Sequence, residues 1–216
     1  MFKKFFRIHP EGTKFVLIFA VASLIISQFI EEFSYFGLFA TLFCAYFFRD
    51  PERVSPEGSN LVISPADGTI TNIEEISTPD DIISEHKKLI RISIFLSVFN
   101  VHVNRIPVSG VVEEIKYVPG LFLNASLDKS SKNNERNYVT VRTNNNEAIT
   151  FVQIAGLIAR RIVCNLVRGE EVEAGKRFGI IRFGSRMDVY LPPKTKIKVA
   201  IGQTMIGGET IIAKLI

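Results

Sequence analysis

Two uncharged apolar runs open the hydropathy pattern. FVLIFAVASLIISQFI covers residues 15–30, Glu31 and Glu32 interrupt it, and FSYFGLFATLFCAYFF covers 33–48. A spanning helix needs about 20 apolar residues, ~17 at the lower limit. The runs therefore predict short spans, or two arms of a hydrophobic helical hairpin. Lys3, Lys4, Arg7 and Lys14 precede the pair, and Arg49 and Arg53 follow it. Basic flanks outside and an acidic turn between place both ends on the cytoplasmic side. The predicted organisation is a basic cytoplasmic N-terminus (1–14), a membrane-associated hairpin (15–48) and a globular domain (49–216). A secretory signal cut after Ala20-Val21-Ala22 is the competing reading. The second apolar run argues against it, because a secreted domain has no use for one.

Past residue 54 the pattern changes to short Val/Ile/Thr-rich runs broken by Gly, Pro, Asn and Asp. Examples are 61–64, 69–76, 88–96, 110–118, 137–143, 148–155, 160–167, 178–183, 187–192, 196–201 and 209–216. Such texture predicts a mainly β domain, a compact β-sandwich or barrel, with no long helix. Residues 122–137 are polar and aperiodic and form the longest predicted loop. Gly169 and Gly175, separated by Glu/Val alternation, resemble the hammerhead half-motif of biotinyl and lipoyl carrier domains. The hairpin here offers Gly184-Ser185 in place of a modifiable lysine.

Composition narrows the function classes. Hydrophobic residues make up 47% and mean hydropathy is positive, which favours membrane contact. The net charge is only +4, without a Lys/Arg block, so a nucleic-acid-binding arm is not expected. A mild basic excess suits an anionic lipid surface. Cys44 and Cys164 lack metal-site spacing, and two cysteines give no disulfide framework. His9, His86 and His102 show no paired-ligand spacing, so no metal is expected.

Several residue types could carry chemistry. Gly184-Ser185 reads as a turn dipeptide, but it also offers a hydroxyl beside an unhindered carbonyl. Attack there would exchange the amide for an ester. β-Elimination would leave dehydroalanine, and hydrolysis a pyruvoyl cap. His102, at the end of the 88–96 strand, is either a strand histidine bonded to backbone or an acid–base group. Asp67, in SPADGTI, is either a turn residue or a carboxylate that orients a histidine. Arg105, Arg136, Arg160 and Arg161 could hold a phosphate or carboxylate, or be ordinary surface ion-pair residues. Arg160 and Arg161 point to opposite faces of a strand, so at most one faces a site.

The combination is more specific than any part. SPADGTI, FLSVFNVHVNRIPVSG, NNERN, VQIAGLIARRIV and RFGSRMDVYLP occur in one order and spacing, with FFRDPER just after the hairpin. Together they resemble the short prokaryotic form of the phosphatidylserine decarboxylases, from about residue 47 to the C-terminus. The resemblance implies a self-cleaving, pyruvoyl-dependent carboxy-lyase. The bond between Gly184 and Ser185 would be cut to give a β chain (1–184) and an α chain (185–216) from one precursor. Pyruvoyl, derived from Ser185, would be the covalent cofactor. Phosphatidylserine would be converted to phosphatidylethanolamine and carbon dioxide through a Schiff base. Ser185, His102 and Asp67 would be catalytic, and Arg105, Arg136 and Arg160 are candidates for substrate binding. Larger family members carry a second histidine where this chain has Arg105, and Leu-Gly-Ser-Thr where it has Phe183-Gly184-Ser185-Arg186. The implied partners are a phospholipid substrate and the cell membrane, with the globular domain on its cytoplasmic face. A homo-oligomer is among the assemblies the sequence allows. Two alternatives stand beside this reading: a pyruvoyl decarboxylase of another serine-headgroup lipid, and a non-catalytic membrane-anchored β domain.

Overall fold

The computed structural model describes residues 7–30, 32–123, 133–156, 161–182 and 185–216. The chain divides into two compact units, 1–52 and 53–216.

The first unit is a pair of helices, α1 (Pro10–Ser27) and α2 (Phe33–Phe47). Helix α1 starts five residues before the predicted apolar run. Pro10 occupies its first turn, where a missing N–H costs nothing, and His9 Nδ1 accepts from the Glu11 N–H as the cap. With 18 residues, α1 is long and apolar enough to cross a membrane; α2 is shorter. Leu17, Leu24, Phe36 and Leu42 all face outward, the pattern expected where the surrounding medium is itself apolar. The two ends of the pair are closed by the His9 N–H donating to the Phe48 carbonyl (2.8 Å) and the Asp50 N–H to that of Arg7 (2.6 Å). Gly12 lets the helices meet there, since a Cβ would lie 2.3 Å from Phe48. Hydroxyls within the apolar stretch are satisfied internally: Ser23 donates to the Phe19 carbonyl and Thr41 to that of Gly37.

The second unit is mainly β, as the sequence texture predicts. It contains β1 (Leu61–Ile63), β2 (Gly68–Ser77), β3 (Lys88–Leu96), β4 (Val103–Arg105), β5 (Gly110–Val118), β6 (Arg136–Arg142) and β7 (Ala148–Ala155). Then follow β8 (Ile162–Cys164), β9 (Glu171–Val172), β10 (Arg177–Ile181), β11 (Ser185–Leu191), β12 (Lys196–Ile197), β13 (Thr204–Met205) and β14 (Ile211–Lys214). Eight strands form one antiparallel sheet in the order β13-β2-β3-β11-β7-β6-β5-β9; β4-β10-β8 and β1-β14-β12 form two smaller sheets. Short β4, β9 and β13 were not anticipated, because segments of two or three residues carry no period. Residues 80–86, ahead of β3, form turns and bends.

Strand β11 lies at the centre of the large sheet. It pairs with β3 from Ser185↔Leu96 to Leu191↔Ile90, and with β7 from Ser185↔Ala155 to Tyr190↔Thr150. Side chains alternate across a strand. One face of β11 therefore presents Ser185, Met187, Val189 and Leu191 to the main core with Ile92, Ile94, Phe151 and Val139. The other presents Arg186, Asp188 and Tyr190. There Tyr190 joins a smaller cluster of Ile82, Leu89, Tyr138, Val152 and Ile154.

Candidate active site

Ser185 is the first residue of β11, flanked by the last residues of β3 and β7, Leu96 and Ala155. It is completely buried, and its Oγ makes no hydrogen bond among the described residues. A buried hydroxyl without a partner costs about 1–3 kcal/mol, so stability does not explain its presence. Gly184 and Phe183 lie outside the described residues, as does Arg160.

Strand β10 carries the chain up to this point and pairs with β4 through Ile180↔Val103. The Ile181 N–H donates to the His102 carbonyl (3.3 Å). His102 thus stands beside the residue that leads into 182–185, and its side chain is fully buried. Its Nδ1 lies 3.0 Å from the Asn100 carbonyl. A carbonyl can only accept, so Nδ1 carries the proton in the neutral ring and Nε2 is the basic nitrogen. One ring nitrogen is thus held by a main-chain group, the backbone-bonded arrangement that is one of the two readings the sequence offers for His102. Asn100 is itself locked in a turn: its Oδ1 accepts from both the N–H and the hydroxyl of Ser97, each at 2.8 Å.

Asp67 sits in the turn before β2, and β2 pairs with β3 through Thr69↔Phe95, next to Leu96. The topology therefore brings Asp67, His102 and Ser185 to one end of the large sheet. The Asp67 carboxylate takes both oxygens to the Arg53 guanidinium (2.9 and 3.2 Å) and accepts from the Gly207 N–H (2.8 Å). Arg53, which the sequence reading counts only in the basic flank after the apolar pair, is here the partner of Asp67.

The three arginines fare differently. Arg105 is buried and donates to the Gly175 carbonyl (2.8 Å). Its side chain lies against Gly208, where φ is +82° and a Cβ would come within 2.6 Å of the Arg105 Cδ. Arg136 is on the other face of the sheet, donating to the Tyr138 hydroxyl (2.9 Å) and the Asn134 carbonyl (3.2 Å), with Asp81 at 3.6 Å.

Two polar arrangements beside the site had not been singled out. Asn134, in NNERN, donates to the Ala155 carbonyl (2.7 Å), the residue paired with Ser185. Behind Met187, a buried amide chain runs from Asn137 to Gln153 to Asn104 (3.1 and 2.9 Å) and joins the large sheet to β4. In NVHVNR, positions 100, 102 and 104 are polar at strand spacing, a sign that one face of this segment is functional. Among the described residues no group of His, Cys, Asp and Glu could hold a metal ion.

Burial, a serine without a partner and a tautomer-fixed histidine at one sheet end suit a reaction within the chain. Comparison with known proteins agrees with that chemistry. Residues 40–213 match the family described as phosphatidylserine decarboxylase. A phosphatidylserine decarboxylase proenzyme from Rickettsia bellii (strain OSU 85-389) is 55% identical over 206 residues, 95% of this chain and 89% of that protein. Proenzymes of the same name from Rickettsia akari (strain Hartford) and Rickettsia prowazekii (strain Madrid E) are 55% and 54% identical over the same lengths. With the family match spanning both the sheet and the buried serine, the chain belongs to the phosphatidylserine decarboxylase family.

Proposed function

We propose that this chain is a self-processing phosphatidylserine decarboxylase whose Ser185 becomes a pyruvoyl group, with His102 as its acid–base residue. The observation that carries this reading is Ser185 itself, wholly buried at the head of a central strand with a hydroxyl that bonds to nothing described. Losing that hydroxyl breaks no hydrogen bond. The pairing of β11 from Arg186 onward does not depend on it. Position 185 therefore fits the group.

Cleavage would begin when His102 Nε2 accepts the Ser185 hydroxyl proton. Oγ bonds to the Gly184 carbonyl carbon, and the amide nitrogen leaves with a proton, giving an ester. Elimination across Cα–Cβ of residue 185 releases Gly184 as a carboxylate. Water then replaces the nitrogen, which departs as ammonia. Asp67, held by Arg53 and Gly207, keeps a fixed negative charge at this end of the sheet. The pyruvoyl ketone would supply an electron-withdrawing carbonyl for the head-group amine, the chemistry that lets carbon dioxide depart. His102 would hold a proton for the carbon that loses carbon dioxide.

The cut chains would stay together. Residues 185–216 contribute β11 between β3 and β7, β13 beside β2, and β14 beside β1. The apolar helices, with basic flanks and an acidic turn, favour a membrane location with the β domain on the cytoplasmic face.

On a denaturing gel, active protein is expected as two chains, the smaller blocked to N-terminal sequencing. A single 24.3 kDa band in active material would sink the proposal. His102→Ala is expected to lose turnover by on the order of 100-fold or more. Decarboxylation at the normal rate would remove His102 from the site.

A further inference from the structure

The Ser185 end of the large sheet is bordered by two uncharged connections. One is 97–100 (SVFN), which continues β3 past Leu96. The other is 119–123 (PGLFL), which continues β5 past Val118. Both are tightly tied. Ser97 and Asn100 close the first through three hydrogen bonds. In the second, Leu121 donates to the Asn133 carbonyl and accepts from the Glu135 N–H (2.7 and 2.9 Å). Asn134 there bonds both the N–H and the carbonyl of Leu123 (3.0 and 2.8 Å) as well as the Ala155 carbonyl. Yet these ordered segments expose large apolar side chains: Phe99 at 63%, Leu121 at 57%, and Phe122 and Leu123 at 37% each. Scattered exposed apolar residues are ordinary, but several gathered at a site mouth mark an interaction surface.

The charges nearby discriminate between occupants. Exposed Arg161 stands at this border, its carbonyl accepting from the Arg182 N–H (3.2 Å) next to Ile181 and His102. The opposite end of the sheet is where Glu85, Glu113 and Glu147 gather around Arg142 and His86. The carboxylates at the Ser185 end are enclosed, Asp67 against Arg53 and Glu135 by burial, so this end presents apolar side chains and an exposed arginine, whereas the other presents exposed carboxylate, Glu85 above all. An anionic bilayer matches the first and is repelled by the second.

We propose that Phe99, Leu121, Phe122 and Leu123 form an apolar rim of the β domain that inserts into the phospholipid surface. Ser185 is thereby seated where the serine head group emerges. The inference rests on the phosphatidylserine reading for its choice of ligand, but its main test does not need turnover. Phe99 projects from the turn whose Asn100 carbonyl orients His102, so the lipid contact and the acid–base residue share one rigid support.

The chain has no tryptophan, so Phe99→Trp and Phe122→Trp each place a single reporter on the rim. Val167→Trp, equally exposed at 63% in the turn next to β9, serves as the control. Each full-length variant is reconstituted into vesicles of phosphatidylethanolamine and phosphatidylserine, with or without brominated acyl chains. Rim reporters are expected to shift to the blue and lose about half their emission or more to the bromolipid, while Val167→Trp stays as in water. Unquenched rim reporters overturn the proposal. So does a blue shift that tracks protein concentration in detergent, which would assign the rim to a second copy. In a second arm, Leu121→Ser/Phe122→Ser, which spares the turn that orients His102, is expected to slow decarboxylation of vesicle phosphatidylserine by roughly ten-fold or more, leaving dispersed short-chain phosphatidylserine unaffected. Equal losses on both substrates would overturn the seating role. If the chain decarboxylates neither substrate, the functional reading fails while the quenching result stands separately.

Discussion

The two faces of β11 are buried alike and built from opposite materials. On the core side, Met187, Val189 and Leu191 are wholly enclosed by aliphatic and aromatic neighbours, and Ser185 shares that face. On the other side, Arg186 donates to Asp188 across 2.8 Å, with side-chain exposures of 3% and 0%. Arg91 pairs with Glu74 on the adjoining strands. Burial works against the Arg91 charge, but Asp188, Tyr190 and Glu74 outweigh it and hold the guanidinium above its usual pKa. Burial, then the Asp188 carboxylate, push the Tyr190 phenol well above its ordinary value. A one-residue slip would turn Met187, Val189 and Leu191 away from the core, so burial forbids it. Arg186 and Asp188 lie on the same strand and move together, but Asp188 and Tyr190 also attract Arg91 of β3, a cross-strand tie that a two-residue slip would break. The comparison teaches that the core face decides which way β11 faces, while the charged face adds to holding it in place along the sheet. That position is where Ser185 begins.

The sharpest break of this comparison is Ser185→Ala. It is expected to leave the chain uncut and to abolish decarboxylation, while thermal stability stays within about 1 kcal/mol, because no hydrogen bond is lost. A gel, an activity assay and a melting curve check all three. Cleavage that persists would move the scissile bond elsewhere.

The next largest effect belongs to the charged face. Asp188→Ala leaves the Arg186 guanidinium buried without its carboxylate and is expected to cost about 3–5 kcal/mol. In processed enzyme this should show as loss of the 185–216 chain during gel filtration in mild urea. The double variant Arg186→Met/Asp188→Leu removes both charges and is expected to recover most of that stability. If the attraction of Asp188 for Arg91 helps to place β11, the recovered protein should still cleave more slowly than wild type. Cleavage at the wild-type rate would leave placement to the apolar face alone. Met187→Ala tests that face directly, with an expected loss of about 2–5 kcal/mol in urea unfolding and no change in where the chain is cut.

How much of this was legible beforehand differs by element. The two helices follow from hydropathy, but the start of α1 needed His9 and Pro10, residues outside the apolar run. Strand β11 was predicted from residue 187, since Gly-Ser-Arg reads as a turn. Ser185 and Arg186 belong to the strand because Asp188 neutralises the arginine inside the protein, which no local pattern reveals. Strand β4 was missed for a related reason: His102, Asn104 and Arg105 look exposed until Gln153 and Gly175 are seen to receive them. For the site, Gly184-Ser185 gained weight only from the other motifs. A backbone bond to His102 was among the sequence's readings, but which carbonyl makes it was not, because every residue has a carbonyl and its direction is set by the fold.

The weakest expected effect lies where the segment before β3 covers the charged face. Asp81 there receives Lys116 Nζ at 2.7 Å and has Arg136 at 3.6 Å. The Lys116 hydrogen bond, aided by the charges of both cations, holds the Asp81 carboxyl below its usual pKa. A carboxyl depressed in the folded state stabilises the fold above its unfolded value, near ~3.9, and loses that contribution as pH falls through the folded value. Both partners are partly exposed, so solvent reduces the gain to a few tenths of a kcal/mol. Asp81→Asn is therefore expected to lower the urea midpoint slightly at pH 7 and to converge on wild type as the pH is lowered until Asp81 is protonated in both states. A difference that persisted at the lower pH would mean that Asp81 acts by shape, through its place beside Ile82 over Tyr138, and not by charge.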